Sequence, residues 1–89
     1  MINLYSIYDA RAEVYYDVVY YKLDAEAIRF LEKLVYKPDS EFNSCSQDFS
    51  LYRVGQFDDI SGLLIPLPAP VRLITATEII ANKSKDTQL

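Results

Sequence analysis

Asp24-Ala25-Glu26-Ala27-Ile28-Arg29-Phe30-Leu31-Glu32-Lys33-Leu34-Val35-Tyr36 is the stretch that decides the fold. Ala27, Ile28, Leu31, Leu34 and Val35 recur at helical spacing and form one apolar stripe, which Phe30 widens. Glu26, Arg29, Glu32, Lys33 and Lys37 fall largely on the opposite face. Asp24 is placed to cap the N-terminus, and Glu26 suits the positive end of the helix dipole. Pro38 sets the far limit, because the residue before a proline disfavours helical backbone.

The flanking segments read as strands. Ile2 to Asp9 places Ile2, Leu4, Ser6 and Tyr8 on one face and Asn3, Tyr5 and Ile7 on the other. Glu13 to Tyr21 is rich in Tyr and Val and reads as a second strand, with Asp9-Ala10-Arg11-Ala12 as the connection. Its alternation is imperfect and leaves apolar residues on both faces, as a strand covered on both sides would show. Phe49 to Phe57 reads as a third strand, with Phe49, Leu51, Arg53, Gly55 and Phe57 on one face. Asp58-Asp59-Ile60-Ser61-Gly62 is a hairpin connection, and Leu63 starts a fourth strand that Pro66, Pro68 and Pro70 truncate or push to a sheet edge. Thr75-Ala76-Thr77-Glu78 is a capping box opening a short helix through Ala81 or Asn82. We therefore expect an α+β fold: a small antiparallel sheet, one main helix packed on a face, and a short C-terminal helix. Residues 1–82 form a single domain and residues 83–89 a frayed polar tail.

Composition narrows the function. The chain has 89 residues, enough for one small core and too few for separate cofactor and substrate domains. Thirteen acidic residues against nine basic ones give a net charge of -4, which argues against coating duplex DNA by charge alone. Histidine, the commonest general base and metal ligand, is absent. Cys45 is the single cysteine, so there is no internal disulfide and no thiolate cluster for zinc. Ile60 to Val71 is the longest uncharged run, but its Ser, Gly and prolines make it unfit to span a bilayer, which needs about 20 apolar residues. We expect a soluble intracellular protein with no membrane partner.

Three stretches are more specific than patterning requires: Leu4-Tyr5-Ser6-Ile7-Tyr8-Asp9 followed by Ala12-Glu13; Asp24-Ala25-Glu26-Ala27-Ile28-Arg29-Phe30; and Asp48-Phe49-Ser50-Leu51-Tyr52-Arg53-Val54-Gly55-Gln56-Phe57-Asp58-Asp59, closing with Ser61-Gly62. In this order and spacing they resemble the small nonstructural protein of gokushoviruses, Microviridae phages with single-stranded DNA genomes. The resemblance covers Ile2 to Gly62. It departs where relatives carry a Pro-Phe pair and an Asn before the helix, against Val18-Val19-Tyr20-Tyr21 and Leu23 here. It implies a phage protein in the cytoplasm of an infected host, with a role in genome synthesis or packaging through DNA binding, and it implies no reaction.

Among candidate sites, a tyrosine-and-arginine surface ranks first. Eight aromatics are Tyr and four are Phe. Single-stranded nucleic acid is held by aromatic platforms flanked by cations. Tyr5 and Tyr52 are the expected stacking residues, with Arg11, Arg29, Lys33 and Arg53 as the cations; Tyr15 and Tyr16 are further contributors. The competing reading is that the tyrosines fill a small core or seal a subunit contact. Arg53 shares a face with Leu51 and Phe57, so it is equally a structural partner for a carboxylate such as Asp9. Asp48, Asp58 and Asp59 read as turn residues, lacking the further acid, Lys or His that metal-assisted chemistry needs. Cys45 has no base beside it, and Gly55 marks a bulge or a close backbone approach. We expect no catalysis, no metal and no cofactor. Apolar residues on both faces of the second strand favour a homodimer or higher oligomer with tyrosines of 13–21 at the contact. The alternative to single-stranded DNA binding is an assembly factor that contacts capsid or scaffold protein or a host replication protein.

Overall fold

The computed structural model describes residues 1–86. Its strands are β1 (Ile2–Asp9), β2 (Val14–Tyr15), β3 (Val19–Tyr21), β4 (Phe49–Phe57) and β5 (Leu64–Thr75), and its helices are α1 (Asp24–Val35), α2 (Glu41–Ser44) and α3 (Ala76–Asp86). All pairings are antiparallel, in the order β2-β1-β4-β5, with β3 also on β1. The helices cover one face of the sheet, so the fold is the expected α+β arrangement. Tyr5, Ile7, Phe49 and Leu51 from the sheet meet Ala27, Leu31 and Val35 of α1 and Ala76 and Ile79 of α3 in one buried core.

Register shifts shape the sheet, one between β2 and β3 along β1, one between β1 and β4 and two between β4 and β5, because a slip of one residue turns every following side chain to the other face. The expected second strand is broken into β2 and β3. Tyr8 pairs with Tyr15, whereas Tyr5 pairs with Val19, so Tyr16, Asp17 and Val18 stand against only Ser6 and Ile7. The extra residue explains the imperfect alternation: Tyr15 and Tyr20 both fall on the open face, while Val19 and Tyr21 pack against the core. In β4, Val54 is the bulged residue, since Tyr5 pairs with Arg53 and Leu4 with Gly55. Phe57 therefore joins Ile2 and Leu4 on the open face, not Leu51 as simple alternation implies. A side chain at Gly55 would meet the Ile65 carbonyl oxygen at 2.7 Å, so this position serves close backbone approach.

The prolines of β5 do not truncate it. The strand runs 12 residues at the sheet edge, with Pro66 paired to Gly55, and Pro68 and Pro70 fall in the register shift between Pro66 and Val71, where no ladder donor is asked of them. The capping box forms: Thr75 Oγ1 accepts from the Glu78 N–H at 3.0 Å, and Glu78 Oε1 accepts from the Thr75 N–H at 3.3 Å. The helix it opens continues to Asp86, past the expected end at Ala81 or Asn82, since no Gly or Pro stops it. Of the expected tail, residues 87–89 lie outside the described residues.

Asp24 does not cap α1. Leu23 is the capping residue, and Glu26 Oε1 accepts from its N–H at 3.1 Å. The Asp24 carboxylate turns to the sheet instead. Its Oδ1 accepts from the Tyr5 hydroxyl at 2.6 Å, and Arg53 Nη1 lies 3.3 and 3.2 Å from the two carboxylate oxygens. Arg53 is thus a carboxylate partner, but of Asp24 rather than Asp9.

Two outcomes follow from this packing. Leu31 is fully buried, so Leu31→Ala should cost about 2–5 kcal/mol in denaturant unfolding. Burial, then the Asp24 hydrogen bond and charge, push the Tyr5 phenol up to about 12 from 10.0. Its contribution is complete below pH 10.0 and is lost as pH rises through about 12. Wild-type stability should therefore fall more steeply than that of Tyr5→Phe across this window, and parallel curves would refute the assignment.

Candidate nucleic-acid interface

The six residues expected to bind DNA do not converge. Tyr5 is fully buried under α1 and cannot stack on a base. Arg53 is engaged with Asp24 on the same side. Arg29 and Lys33 are exposed on the outer surface of α1, beyond the helix layer from the open face. Tyr52 and Arg11 remain.

Tyr52 sits in β4 on the open face, because it pairs with Ser6 before the bulge. Tyr8, two residues along β1 from Ser6, lies on the same face, and Tyr15 of β2 pairs with Tyr8. The three rings form one cluster: centroids are 4.7 Å apart for Tyr8 and Tyr15, 6.0 Å for Tyr8 and Tyr52, and 5.7 Å for Tyr15 and Tyr52. The two contacts of Tyr52 are edge-on, the arrangement favoured by ring quadrupoles. Burial among its neighbours, with Tyr52 and Tyr8 beside it, raises the Tyr15 phenol above its ordinary range. Tyr15 stays partly exposed, so the cluster is a surface and not a second core.

Arg72 of β5 pairs with Tyr52, which places this exposed cation on the open face beside the rings. Arg11 lies in the turn between β1 and β2, next to the Tyr8–Tyr15 pair. Asp9 shapes that turn: its Oδ1 accepts from the Arg11 and Ala12 N–H groups at 3.0 and 3.2 Å, and Glu13 takes a positive φ of 56°. Tyr16 turns away from the cluster, its ring against Phe42 and Phe49. Sequence reasoning missed Tyr8 and Arg72. A signal for Arg72 existed, since it is the first charge after the uncharged run Ile60 to Val71.

The remaining candidates have structural duties. Asp58 Oδ1 accepts from the Ile60 and Ser61 N–H groups at 3.0 and 3.3 Å, which holds its carboxyl below the usual range. Asp59 lies 3.5 Å from the N-terminal amine. Cys45 ends α2 and packs half-buried on the core. Among the described residues, no three His, Cys, Asp or Glu side chains are grouped to hold a metal, and no helix is long and apolar enough to cross a membrane.

No curated protein and no solved structure matches the chain. A family model does match, that of the phage ORF5 protein, over residues 2–79. The match runs past Gly62, where the quoted motifs stop, and takes in the strands and the start of α3. With nearly the whole sheet-and-helix unit inside it, the chain belongs to the phage ORF5 protein family.

Proposed function

We propose that this phage protein binds single-stranded DNA, without catalysis, on the tyrosine-lined end of its open sheet face. The setting is genome synthesis or packaging of a gokushovirus-like phage in the host cytoplasm. The observation that carries the reading is the Tyr8–Tyr15–Tyr52 cluster with Arg72 alongside. Open antiparallel sheets bearing aromatic rings suit unstacked bases, because every base offers a π-face and stacking is worth about 1–3 kcal/mol. Duplex DNA hides those faces, so the single strand is the favoured ligand.

The acidic balance sets the character of binding. With a net charge of -4, long-range attraction to phosphate is absent, and affinity rests on stacking plus local ion pairs. Arg72 and Arg11 are the cations beside the cluster. Two phosphate contacts on a single strand give a slope of log affinity against log salt of about −1.4.

The test is fluorescence anisotropy with single-stranded and duplex oligonucleotides across a salt series. Tyr52→Ala should weaken single-strand binding by about 5- to 150-fold. Arg72→Gln should flatten the salt slope by about 0.7. Arg29→Gln and Lys33→Gln, on the far side of the molecule, should change neither. No single-strand binding at low salt would overturn the proposal and promote the assembly-factor reading, with capsid, scaffold or host replication protein as partner.

A further inference from the structure

The aromatic end of the open face is arranged as a row. Tyr15 of β2 pairs with Tyr8 of β1. Tyr52 of β4 pairs with Ser6, two residues before Tyr8 on β1 and on the same face, and Arg72 of β5 pairs with Tyr52. The four side chains thus come from four adjacent strands, in the sheet order β2-β1-β4-β5, and the row ends where the sheet ends. Ring contacts link Tyr15, Tyr8 and Tyr52 along it. Its three inter-strand spacings, each about 4.8 Å, make it about 14 Å long. Resting on the single-stranded DNA reading above, we propose that the bound DNA crosses the β-strands along this row and that the complete site holds no more than about four nucleotides.

The length of the row sets the footprint. Stacked DNA rises about 3.4 Å per nucleotide, so about 14 Å takes four at most, and fewer where bases separate to meet protein rings. The rings also interlock. Both contacts of Tyr52 are edge-on, and Tyr8 and Tyr52 are half-buried, while Tyr15 is 42% exposed. Rings packed in this way present one continuous surface instead of three separate platforms, which again fits a short ligand.

The direction follows from where the charges lie. Arg72 closes the row on β5, and Arg11 stands in the turn beside the Tyr8–Tyr15 pair, so DNA that crosses the sheet has a cation near each end of the row. Both arginines are exposed, and among the described residues neither makes an ion pair, whereas Arg53 is held by Asp24. DNA running lengthwise, parallel to the β-strands, would enter the other end of the open face. There Ile2, Leu4, Tyr20, Phe57 and Leu64 line a groove, and none of the five is charged, so a phosphate would meet no cation. Tyr20, 70% exposed on that groove, is a ring that lengthwise DNA would meet and crossing DNA would not.

A length series tests the proposal: anisotropy of the full chain with labelled oligothymidylates of two, four, eight and sixteen nucleotides at low salt, with melting temperature as the folding control. Affinity should climb from two to four nucleotides. From four to sixteen it should rise only with the number of registers open to a four-nucleotide site. A steeper rise would mean a longer footprint and overturn the inference while leaving single-strand binding in place. Tyr15→Ala should weaken binding of four and of sixteen nucleotides by the same factor, about 5- to 150-fold. Arg72→Gln, at an exposed position, should likewise act equally on both lengths and serves should the tyrosine change disturb β2. Tyr20→Ala should alter neither. A Tyr20→Ala loss seen with sixteen nucleotides and not with four would place the DNA lengthwise and overturn the inference. No binding at any length would overturn the single-stranded DNA reading and this inference with it.

Discussion

The Asp24 carboxylate is the junction on which the arrangement depends. It takes the Tyr5 hydroxyl at 2.6 Å and the Arg53 guanidinium at 3.2 Å, and so ties the first turn of α1 to β1 and β4, the two central strands. An ion pair this accessible contributes little alone, about 1 kcal/mol or less. Its value is positional. Both polar groups project from strand positions that face the helix, and each would be costly there without a partner. The helix register that satisfies them also places Leu31 and Val35 in the one buried core that holds Leu51 and Ile7.

That junction assigns chemistry to faces. By engaging Tyr5 and Arg53 on the covered side, it removes them from any ligand surface. Two of the register shifts do the reverse for other residues. One extra residue between β2 and β3 brings Tyr15 and Tyr20 to the same open face, and the Val54 bulge turns Phe57 there as well. The result is a sheet with a dry, helix-covered side and an open side divided into an aromatic end and an apolar end. The aromatic end carries a cation, and the apolar end carries none.

The division matters for an acidic protein of a phage. Without a broad positive field, the proposed recognition of a nucleic acid would be short-ranged, and rings with one or two arginines are a short-ranged device. The apolar end has the opposite requirement. It suits a partner that brings apolar surface and no charge. Membership of the phage ORF5 protein family places these surfaces in a phage setting.

Local chemistry was legible in the chain itself. The stripe Ala27, Ile28, Leu31, Leu34 and Val35, the capping box Thr75–Glu78, the Asp58 turn and the edge position of the proline-bearing strand all depend on residues close in sequence, whose preferences act over one or two turns. The α+β class follows from them, because one amphipathic helix and several strands have few ways to bury their apolar sides. What only the tertiary structure decided is which face each side chain takes. A bulge is set by the strand opposite, so nothing within Glu13 to Tyr21 or Phe49 to Phe57 states where the alternation slips. Asp24 reads as a cap by local rule and became a tether because Tyr5 and Arg53, 19 and 29 residues away, compete for it and win. The same long-range pairing put Arg72 beside Tyr52 and left Arg29 and Lys33 beyond the helix layer. Residue types and local elements are properties of neighbours in the chain, whereas a binding surface is a property of register, and register is settled only when distant strands pair.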